Sequence, residues 1–329
     1  MFADAFTALL IDHCTPAMVR GVEAGGSAGT LGEVLNTSGL LELLAEESDG
    51  GAAAGMEDLF ALVMSCGYFA LPLPAPQTMA ARLLVRSRKE LPEGWITLAS
   101  APLREENGDW VTGHVPCAMV ADHVIAAHGE ALWMLPVGPQ ERQLSGVPSS
   151  LSASLRWRAG AGQRLSAGNA AELQSLGAVL HAALLAGAMK RAFDMTLQYA
   201  NDRVQFGKSI GKFQAVQHQL SVMAENVAAC AIAAEAAFQC GRKIPAPLAA
   251  AVAKSRTSEA AQWVAATAHS LHGAIGVTAE YDLQLYTRRL HEWRVAHGSE
   301  NYWNTAIGRA FLAAPPQTLA ADFVRGITG

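Results

Sequence analysis

Four long segments with apolar residues at three- and four-residue spacing dominate the second half of the 329-residue sequence. They cover residues 170–203, 213–240, 247–273 and 281–295, and Gly- or Pro-containing connections separate them. This spacing is typical of amphipathic helices. Asn169 and Glu172 form a capping-box pattern before the first segment. Long helices joined by short connections pack as antiparallel neighbours, so the sequence predicts a C-terminal four-helix bundle over residues 166–329.

Two further regions precede the bundle. Residues 1–90 carry helical spacing that is interrupted by Gly and Pro clusters, including Pro72. Residues 91–165 contain short β-branched and aromatic runs, and Asn107-Gly108 is a dipeptide preferred in tight hairpins. The predicted fold class is therefore mainly α with a small β-domain: an N-terminal helical domain, a middle antiparallel β-domain and the C-terminal bundle.

The composition restricts the partners and the location of the chain. Apolar residues make up 51 % of the sequence and charged residues 16 %, so we expect apolar surface to be covered between subunits. The net charge of −5 and the absence of a basic stripe argue against nucleic acid. We see neither a basic leader at the N-terminus nor an apolar run long enough to cross a bilayer. These features predict a cytoplasmic oligomer without membrane insertion.

The stretch "RVAHGSENYW" places an imidazole, a hydroxyl and a carboxylate close together, in His297, Ser299 and Glu300. A hydrolase triad is disfavoured, because triads assemble from distant segments and no strand precedes the serine. The alternative is that Ser299 is the N-cap of the last helix. No set of His, Cys, Asp and Glu has metal-ligand spacing, so we predict no metal.

Two Gly-containing stretches lie between the bundle helices. "NDRVQFGKSIGKFQAVQHQL" combines cations with aromatic residues, which suits an anionic planar ligand but also an ordinary solvated loop. "HSLHGAIGVTAEYDLQLYTRR" places Gly273 and Gly276 where backbone could approach a ligand. A helix C-cap is the alternative for Gly273.

Taken together, the three stretches resemble motifs of the acyl-CoA dehydrogenase family. "RVQFGKSIGKFQ" resembles the flavin-binding turn R-x-x-F-G-x-x-I-x-x-F-Q, and "HGAIGVTAE" resembles the G-G-x-G segment of bacterial members acting on steroid or other bulky acyl-CoAs. "HGSENYWNTAIGRAF" lies where the family has E-G-T-[SA]-[EQ]-I before its last helix. The resemblance implies FAD, αβ-dehydrogenation of an acyl-CoA substrate with hydride transfer to the flavin, and reoxidation by an electron-transfer flavoprotein or another acceptor.

The resemblance also assigns cofactor contacts. Eight residues would reach the FAD of a neighbouring subunit, and two more would contact FAD in their own subunit, which places the flavin between subunits of a homodimer, a homotetramer or a hetero-oligomer. The first group is Arg203, Gln205, Phe206, Ile210, Phe213, Val216, Leu271 and Gly273, and the second is Ser299 and Asn301.

The family's two base positions both lack a carboxylate here. His297 stands where most members have the glutamate that opens E-G-T, and Gly177 occupies the other position, 26 residues before Arg203. Three interpretations stay open: His297 is the base, the chain is a silent partner subunit of an active dehydrogenase, or it is a scaffold without flavin. His181 and Glu292 are weaker base candidates, expected to be a core residue and part of a solvated helix face.

Overall fold

The computed structural model describes residues 2–85, 87–145, 149–239, 241–315 and 317–328. In this part of the chain, helices α1–α5 precede the strands. Pro72 follows the end of α4, whereas Pro76 lies in the first turn of α5, where its missing N–H costs no hydrogen bond. The helices are α1 (Phe2–His13), α2 (Pro16–Glu23), α3 (Gly29–Thr37), α4 (Met56–Tyr68) and α5 (Ala75–Ala80).

The middle region forms two four-stranded sheets, ordered β1-β4-β5-β8 and β2-β3-β7-β6. An apolar cluster lies between them, in which the rings of Trp110 and Trp133 meet edge to face at 4.8 Å. The strands are β1 (Ile96–Leu98), β2 (Arg104–Glu106), β3 (Asp109–Val115), β4 (His123–His128), β5 (Ala131–Pro136), β6 (Arg142–Leu144), β7 (Ala153–Arg158) and β8 (Gln163–Arg164).

The strand pairing confirms one expectation and corrects another. Asn107 and Gly108 join β2 to β3 with φ values of 54° and 83°, as a two-residue hairpin requires. The prediction of a purely antiparallel domain was wrong, because β1 pairs with β4 in parallel. Strands β2 and β3 lie between β1 and β4 in the sequence and belong to the second sheet. Strand β4 then pairs with β1 in the first sheet and runs in the same direction as β1.

The predicted bundle is present. Asn169 accepts a hydrogen bond from the Glu172 amide and completes the capping box of α6. The domain boundaries at residues 90 and 165 stay predictions. The helices are α6 (Ala170–Asp202), α7 (Gln214–Phe238), α8 (Pro247–His272) and α9 (Leu283–Trp293), followed by α10 (Glu300–Ala313), which packs on α8, and α11 (Ala320–Thr328); β9 (Val204–Gln205) and β10 (Lys208–Ser209) form a hairpin between α6 and α7.

Small residues let α4 and α6 approach closely. A Cβ atom at Gly187 would run into the Met64 carbonyl, and one at Gly67 would run into the Leu184 carbonyl. This contact joins the N-terminal helices to the bundle in one hydrophobic core. It also fixes α6, which carries the central residues of the candidate site.

Two helices, α6 and α7, are long and apolar enough to cross a membrane by length and composition, so the expectation that no segment reaches this length was wrong. The most apolar window of α6 is 83 % buried within the protein, which explains its hydropathy as that of a core helix. The corresponding window of α7 is only 33 % buried.

Candidate functional site

The connection between α9 and α10, residues 294–299, carries the histidine singled out in the sequence. We call it the α9–α10 loop. His297 is fully buried and has a φ of 52°, an uncommon conformation for a residue with a side chain. Its carbonyl accepts hydrogen bonds from Gln174 Nε2 at 2.8 Å and from Trp303 Nε1 at 2.9 Å. Side chains of α6 and α10 therefore hold the backbone in this conformation.

The two positions at which the resemblance places a base, residues 177 and 297, lie against each other. A Cβ atom built on Gly177 would collide with the His297 ring, which occupies the space beside the helix. Glycine at residue 177 and histidine at residue 297 are therefore structurally linked. The structure brings together two positions that are 120 residues apart in the sequence.

A second buried imidazole lies beside the first. The rings of His181 and His297 are 5.0 Å apart, and His181 Nδ1 hydrogen-bonds the Gly177 carbonyl at 2.8 Å. Both nitrogens of His297 and the Nε2 of His181 are buried without a well-formed hydrogen bond among the described residues, although the Leu98 backbone lies close enough to the His297 ring to raise its pKa against the effect of burial. Burial lowers the pKa of His181 to about 3 and holds the pKa of His297 well below its usual range, so both rings are neutral at pH 7. His181 is the core residue that the sequence predicts.

Sequence reasoning missed Lys254. This lysine on α8 is fully buried, and its Nζ donates to Ser258 Oγ at 2.7 Å, the Arg294 carbonyl at 2.8 Å and the Gly298 carbonyl at 3.0 Å. Burial lowers its pKa to about 7, and the Arg294 guanidinium acts in the same direction. The only signal in the sequence is a single lysine between the alanines of α8, which does not distinguish a buried from an exposed position.

The remaining side chains exclude a hydrolase triad and leave Ser299 as a helix cap. Ser299 Oγ accepts a hydrogen bond from the Tyr302 amide at 3.4 Å and is the N-cap of α10, as the alternative interpretation predicts. Glu300 pairs with Arg294 rather than with an imidazole. No hydrogen bond joins His297 to either residue in the described part of the chain.

Glu292 does not lie on a solvated helix face, so that expectation was wrong. It is half-buried, and its carboxylate accepts hydrogen bonds from the Ser150 hydroxyl at 2.7 Å and from the Ser152 hydroxyl. The end of α9 packs against the segment before β7, which removes part of this side chain from water.

A cavity of about 420 Å³ opens where α6 begins, between α10 and the segment that follows β1. Gln174, Tyr302 and Trp303 line one side, and Ala99–Pro102 line the other. The sequence did not single out Ala99–Pro102, because these residues carry no recognisable motif and face α6 and α10 only in the folded chain.

The β9–β10 hairpin and the turn after it carry six of the predicted flavin contacts. Arg203, Gln205 and Phe206 are exposed, whereas Ile210, Phe213 and Val216 are half-buried. Phe206 forms the hairpin turn with a φ of 52° and a side chain that is 90 % exposed.

The aromatic residues of this hairpin are arranged around a cation. The Lys208 ammonium lies 4.2 Å from the centre of the Phe213 ring, and the Phe206 and Phe213 rings are 6.2 Å apart. The exposed side chains of Arg203 and Phe206 are accessible to a ligand or a partner, whereas Phe213 is half-buried against its own chain.

Leu271 and Gly273 lie at the same end of the bundle. Gly273 ends α8 with a φ of 64°, as the C-cap alternative predicts, and Leu271 is half-buried. The ring of His272 stacks on that of Tyr199, near the end of α6, at 4.5 Å. The hairpin and the turn after it follow the end of α6 directly, and Leu271 and Gly273 flank the His272 that stacks on Tyr199, so the eight residues expected to contact a neighbour's flavin lie toward the same end of α6.

Ser299 and Asn301 lie near the opposite end of α6, in the α9–α10 loop and the first turn of α10; the loop residue His297 is hydrogen-bonded to Gln174 of α6, and Tyr302, which follows Asn301, lines the cavity. From Gly177 to Tyr199 the helix rises roughly 33 Å. The structure therefore divides the ten predicted contacts into two separate groups.

Proteins of one known family are similar to this chain in sequence. An acyl-CoA dehydrogenase, IpdE2, of Mycolicibacterium smegmatis is 30 % identical over 310 residues, which cover 88 % of this chain and 91 % of that protein. The family's sequence profile for the acyl-CoA dehydrogenase C-terminal domain matches residues 170–312. The chain belongs to the acyl-CoA dehydrogenase family. The resemblance found in the sequence motifs is confirmed, and with it the kind of oxidoreductase to which the chain is related.

Solved structures show the same fold. The ChsE4–ChsE5 complex from Mycobacterium tuberculosis aligns with a TM-score of 0.82 at 21 % identity, over 95 % of this chain and 97 % of the other. PigA with FAD and proline aligns with a TM-score of 0.76 at 16 % identity, over 94 % and 96 % of the two chains. The mainly α fold with a small sheet domain and C-terminal helices is confirmed.

Proposed function

We propose that the chain is a subunit of an FAD-dependent acyl-CoA dehydrogenase that carries out αβ-dehydrogenation of an acyl-CoA thioester, with its flavin bound between two subunits. The observation that carries the proposal is the division of the ten predicted contacts between opposite ends of α6. A single cofactor bound to one chain would not reach both groups. If the start of α6 in one chain lies beside the end of α6 in a second chain, one group from each chain can contact the same flavin.

The residues present fit FAD. Arg203 is an exposed guanidinium able to bind pyrophosphate, and the apolar surface of Phe206 and Phe213 suits an adenine ring. Tyr302 and Ala99–Pro102 line the cavity in which we place the isoalloxazine ring. Bound FAD supplies the acceptor for the hydride that leaves the β-carbon of the thioester. The protein's part is to orient the thioester, exclude water and remove the α-proton.

His297 is the base that we propose for that proton. Its imidazole is neutral and can accept a proton, but the burial that holds its pKa well below the usual range also makes it a weak base, so proton removal requires this burial to be relieved when the acyl-CoA binds. We expect the acyl chain to lie between the ring and the flavin, which requires the site to open beside Gly177. The Ala- and Gly-rich surroundings suit a bulky or ring-bearing acyl group.

A second candidate function is that of a catalytically silent subunit, whose hairpin completes the flavin site of an active partner. The observation that favours it is the complete burial of the His297 ring, which has no well-formed hydrogen bond among the described residues. The exposed apolar side chains on α7 and α8, Ile232 and Trp263, support an oligomer in either case. The relationship to the ChsE4–ChsE5 complex suits a hetero-oligomer, and an electron-transfer flavoprotein is the proposed electron acceptor.

The first experiment is to purify the chain alone, record its visible spectrum and titrate it anaerobically with acyl-CoAs of increasing bulk. The proposal predicts a yellow protein that a bulky acyl-CoA bleaches. The His297→Ala variant should keep its colour and lose bleaching, with Ser150→Ala as a control at a distant hydroxyl. Unchanged bleaching in His297→Ala would remove this residue from the reaction.

The silent-subunit candidate predicts a different result. The chain alone should then fail to be bleached by any acyl-CoA, and activity should appear only when an active dehydrogenase subunit is added. An Arg203→Ala variant should abolish that complementation, because it removes the pyrophosphate contact. A colourless chain that neither binds added FAD nor supports flavin binding in a partner would contradict both candidates.

A further inference from the structure

Beyond the proposed base, the structure contains a buried cation, Lys254, that hydrogen-bonds the backbone on both sides of His297. We propose that Lys254 is a positioning residue that holds the α9–α10 loop, so that His297 stays in its buried conformation and Ser299 stays at the start of α10. The inference rests on the proposed function for its catalytic meaning. Its structural content rests on the contacts alone.

The contacts of Lys254 are directed at the backbone of the loop on both sides of His297. Its Nζ donates to the carbonyls of Arg294 and Gly298, and the third proton goes to Ser258 Oγ, which itself donates to the Arg294 carbonyl at 3.0 Å. All three protons of the ammonium are therefore used. The lysine bridges α8 to the start and the end of the loop, whose own residues form no regular secondary structure.

The loop needs such a contact because its conformation is strained. His297 has a positive φ, and so does Gly298 at 98°. A Cβ atom at Gly298 would lie 2.6 Å from both Tyr302 and Trp303, so the backbone passes close to α10. A non-glycine residue in the left-handed region is strained and persists when surrounding contacts determine it. Hydrogen bonds to a buried charged group are strong enough to supply that determination.

The charge of Lys254 also acts on the imidazoles. The ammonium lowers the pKa of both His181 and His297, in addition to the effect of burial. On its other sides Lys254 faces Arg294 and Glu300, which shift its own pKa in opposite directions. A protonated Lys254 therefore adds to the larger effects of burial and of His181, which already hold the His297 ring in its neutral form.

The test compares Lys254→Met with the wild-type chain by hydrogen exchange. Lys190→Met is the control, because Lys190 is a half-exposed cation on α6 whose loss removes one charge far from the loop. In Lys254→Met we expect amide exchange in peptides covering residues 294–300 to rise about tenfold, while peptides covering residues 201–213 stay unchanged. Unchanged exchange in the loop, or an equal rise in both regions, would overturn the proposal.

Two further readouts separate positioning from general stability. The NMR titration of His297, assigned with His297→Ala, should move to higher pH in Lys254→Met and stay in place in Lys190→Met. If Lys254→Met fails to fold, Ser258→Ala removes one of the three acceptors and should raise loop exchange about threefold; no rise would overturn the proposal. Both measurements work on protein without flavin, so a chain that neither binds FAD nor supports flavin binding in a partner contradicts the proposed function and leaves this test decisive.

Discussion

The β9–β10 hairpin and the α9–α10 loop carry the two halves of the proposed site, and the protein builds them in opposite ways. Phe206 in the hairpin is almost completely exposed. Arg203, directly before the hairpin, forms no ion pair within the described residues. In the loop, His297 is completely buried, and side chains from three helices donate hydrogen bonds to the loop's backbone carbonyls. Under the proposed function, a flavin or a neighbouring subunit covers the hairpin, whereas the side chains that hold the loop come from the chain itself.

The two regions therefore differ in how closely their side chains are coupled to the rest of the chain. Contacts made to a neighbouring subunit leave little trace in the stability of the chain that supplies them. A side chain in the core is coupled to every residue around it, as Gly177 is to His297. Substitutions at the loop should therefore lower the free energy of unfolding more than substitutions at the hairpin do.

The largest effect is expected from acid. His181 binds a proton near pH 6.5 in the unfolded chain but only near pH 3 in the folded chain, so its contribution is complete above pH 6.5 and is lost as the pH falls. This residue alone should cost about 2 kcal/mol between pH 8 and pH 5. His297 acts in the same direction.

Urea unfolding at both pH values measures this loss, and a His181→Gln variant should flatten the dependence by about the share of His181. The Phe206→Ala variant, altered on the exposed hairpin, should keep the wild-type dependence. A pH dependence that His181→Gln leaves untouched would mean that the imidazole is accessible to solvent.

The second prediction concerns the close contact of Gly177 with His297. Gly177→Ala should cost about 1–3 kcal/mol, because the added methyl group collides with the ring. The same change in a His297→Ala background should cost much less. Gly308→Ala is the matched control, since this helical glycine has open space around its Cβ position and alanine should stabilise it by about 1 kcal/mol. Additive costs in the double variant would contradict the coupling.

The third prediction concerns the cap of α10. Ser299→Ala should lower the free energy of unfolding by about 1 kcal/mol, because the Tyr302 amide loses its acceptor. Ser299→Thr keeps the hydroxyl and should behave like the wild type. If Ser299 also contacts the flavin, Ser299→Ala should weaken FAD binding beyond what Ser299→Thr does, which fluorescence titration measures.

The smallest effect on stability is expected at the hairpin. Arg203→Ala and Phe206→Ala should change the free energy of unfolding by less than about 0.5 kcal/mol, as exposed substitutions do. Under the proposed function, both variants should weaken FAD binding at least tenfold in the assembled oligomer. Lys212→Ala, also exposed and in the same turn, is the control. Clear destabilisation by Phe206→Ala would show that the hairpin is part of the chain's own core.

Local patterns predicted the elements of the fold well. Helical spacing identified the bundle, the Asn169 capping box identified the start of α6, and Asn107-Gly108 identified a hairpin. These signals depend on neighbours a few residues away, so they can be read along the chain. The parallel pairing of β1 with β4 could not be read in this way, because it depends on a strand that returns after β2 and β3 have formed.

The sequence by itself determined the order of the helical and β regions, the family and the positions of the motifs, since spacing and residue type encode all three. Only the tertiary structure decided that Gly177 and His297 share one space, that Lys254 is buried beneath the α9–α10 loop and that Glu292 is held by Ser150 and Ser152. Each of these facts depends on which face of a helix is covered and by what. Burial is a property of the assembled core, and it changes the chemistry of a histidine or a lysine without changing the letter in the sequence.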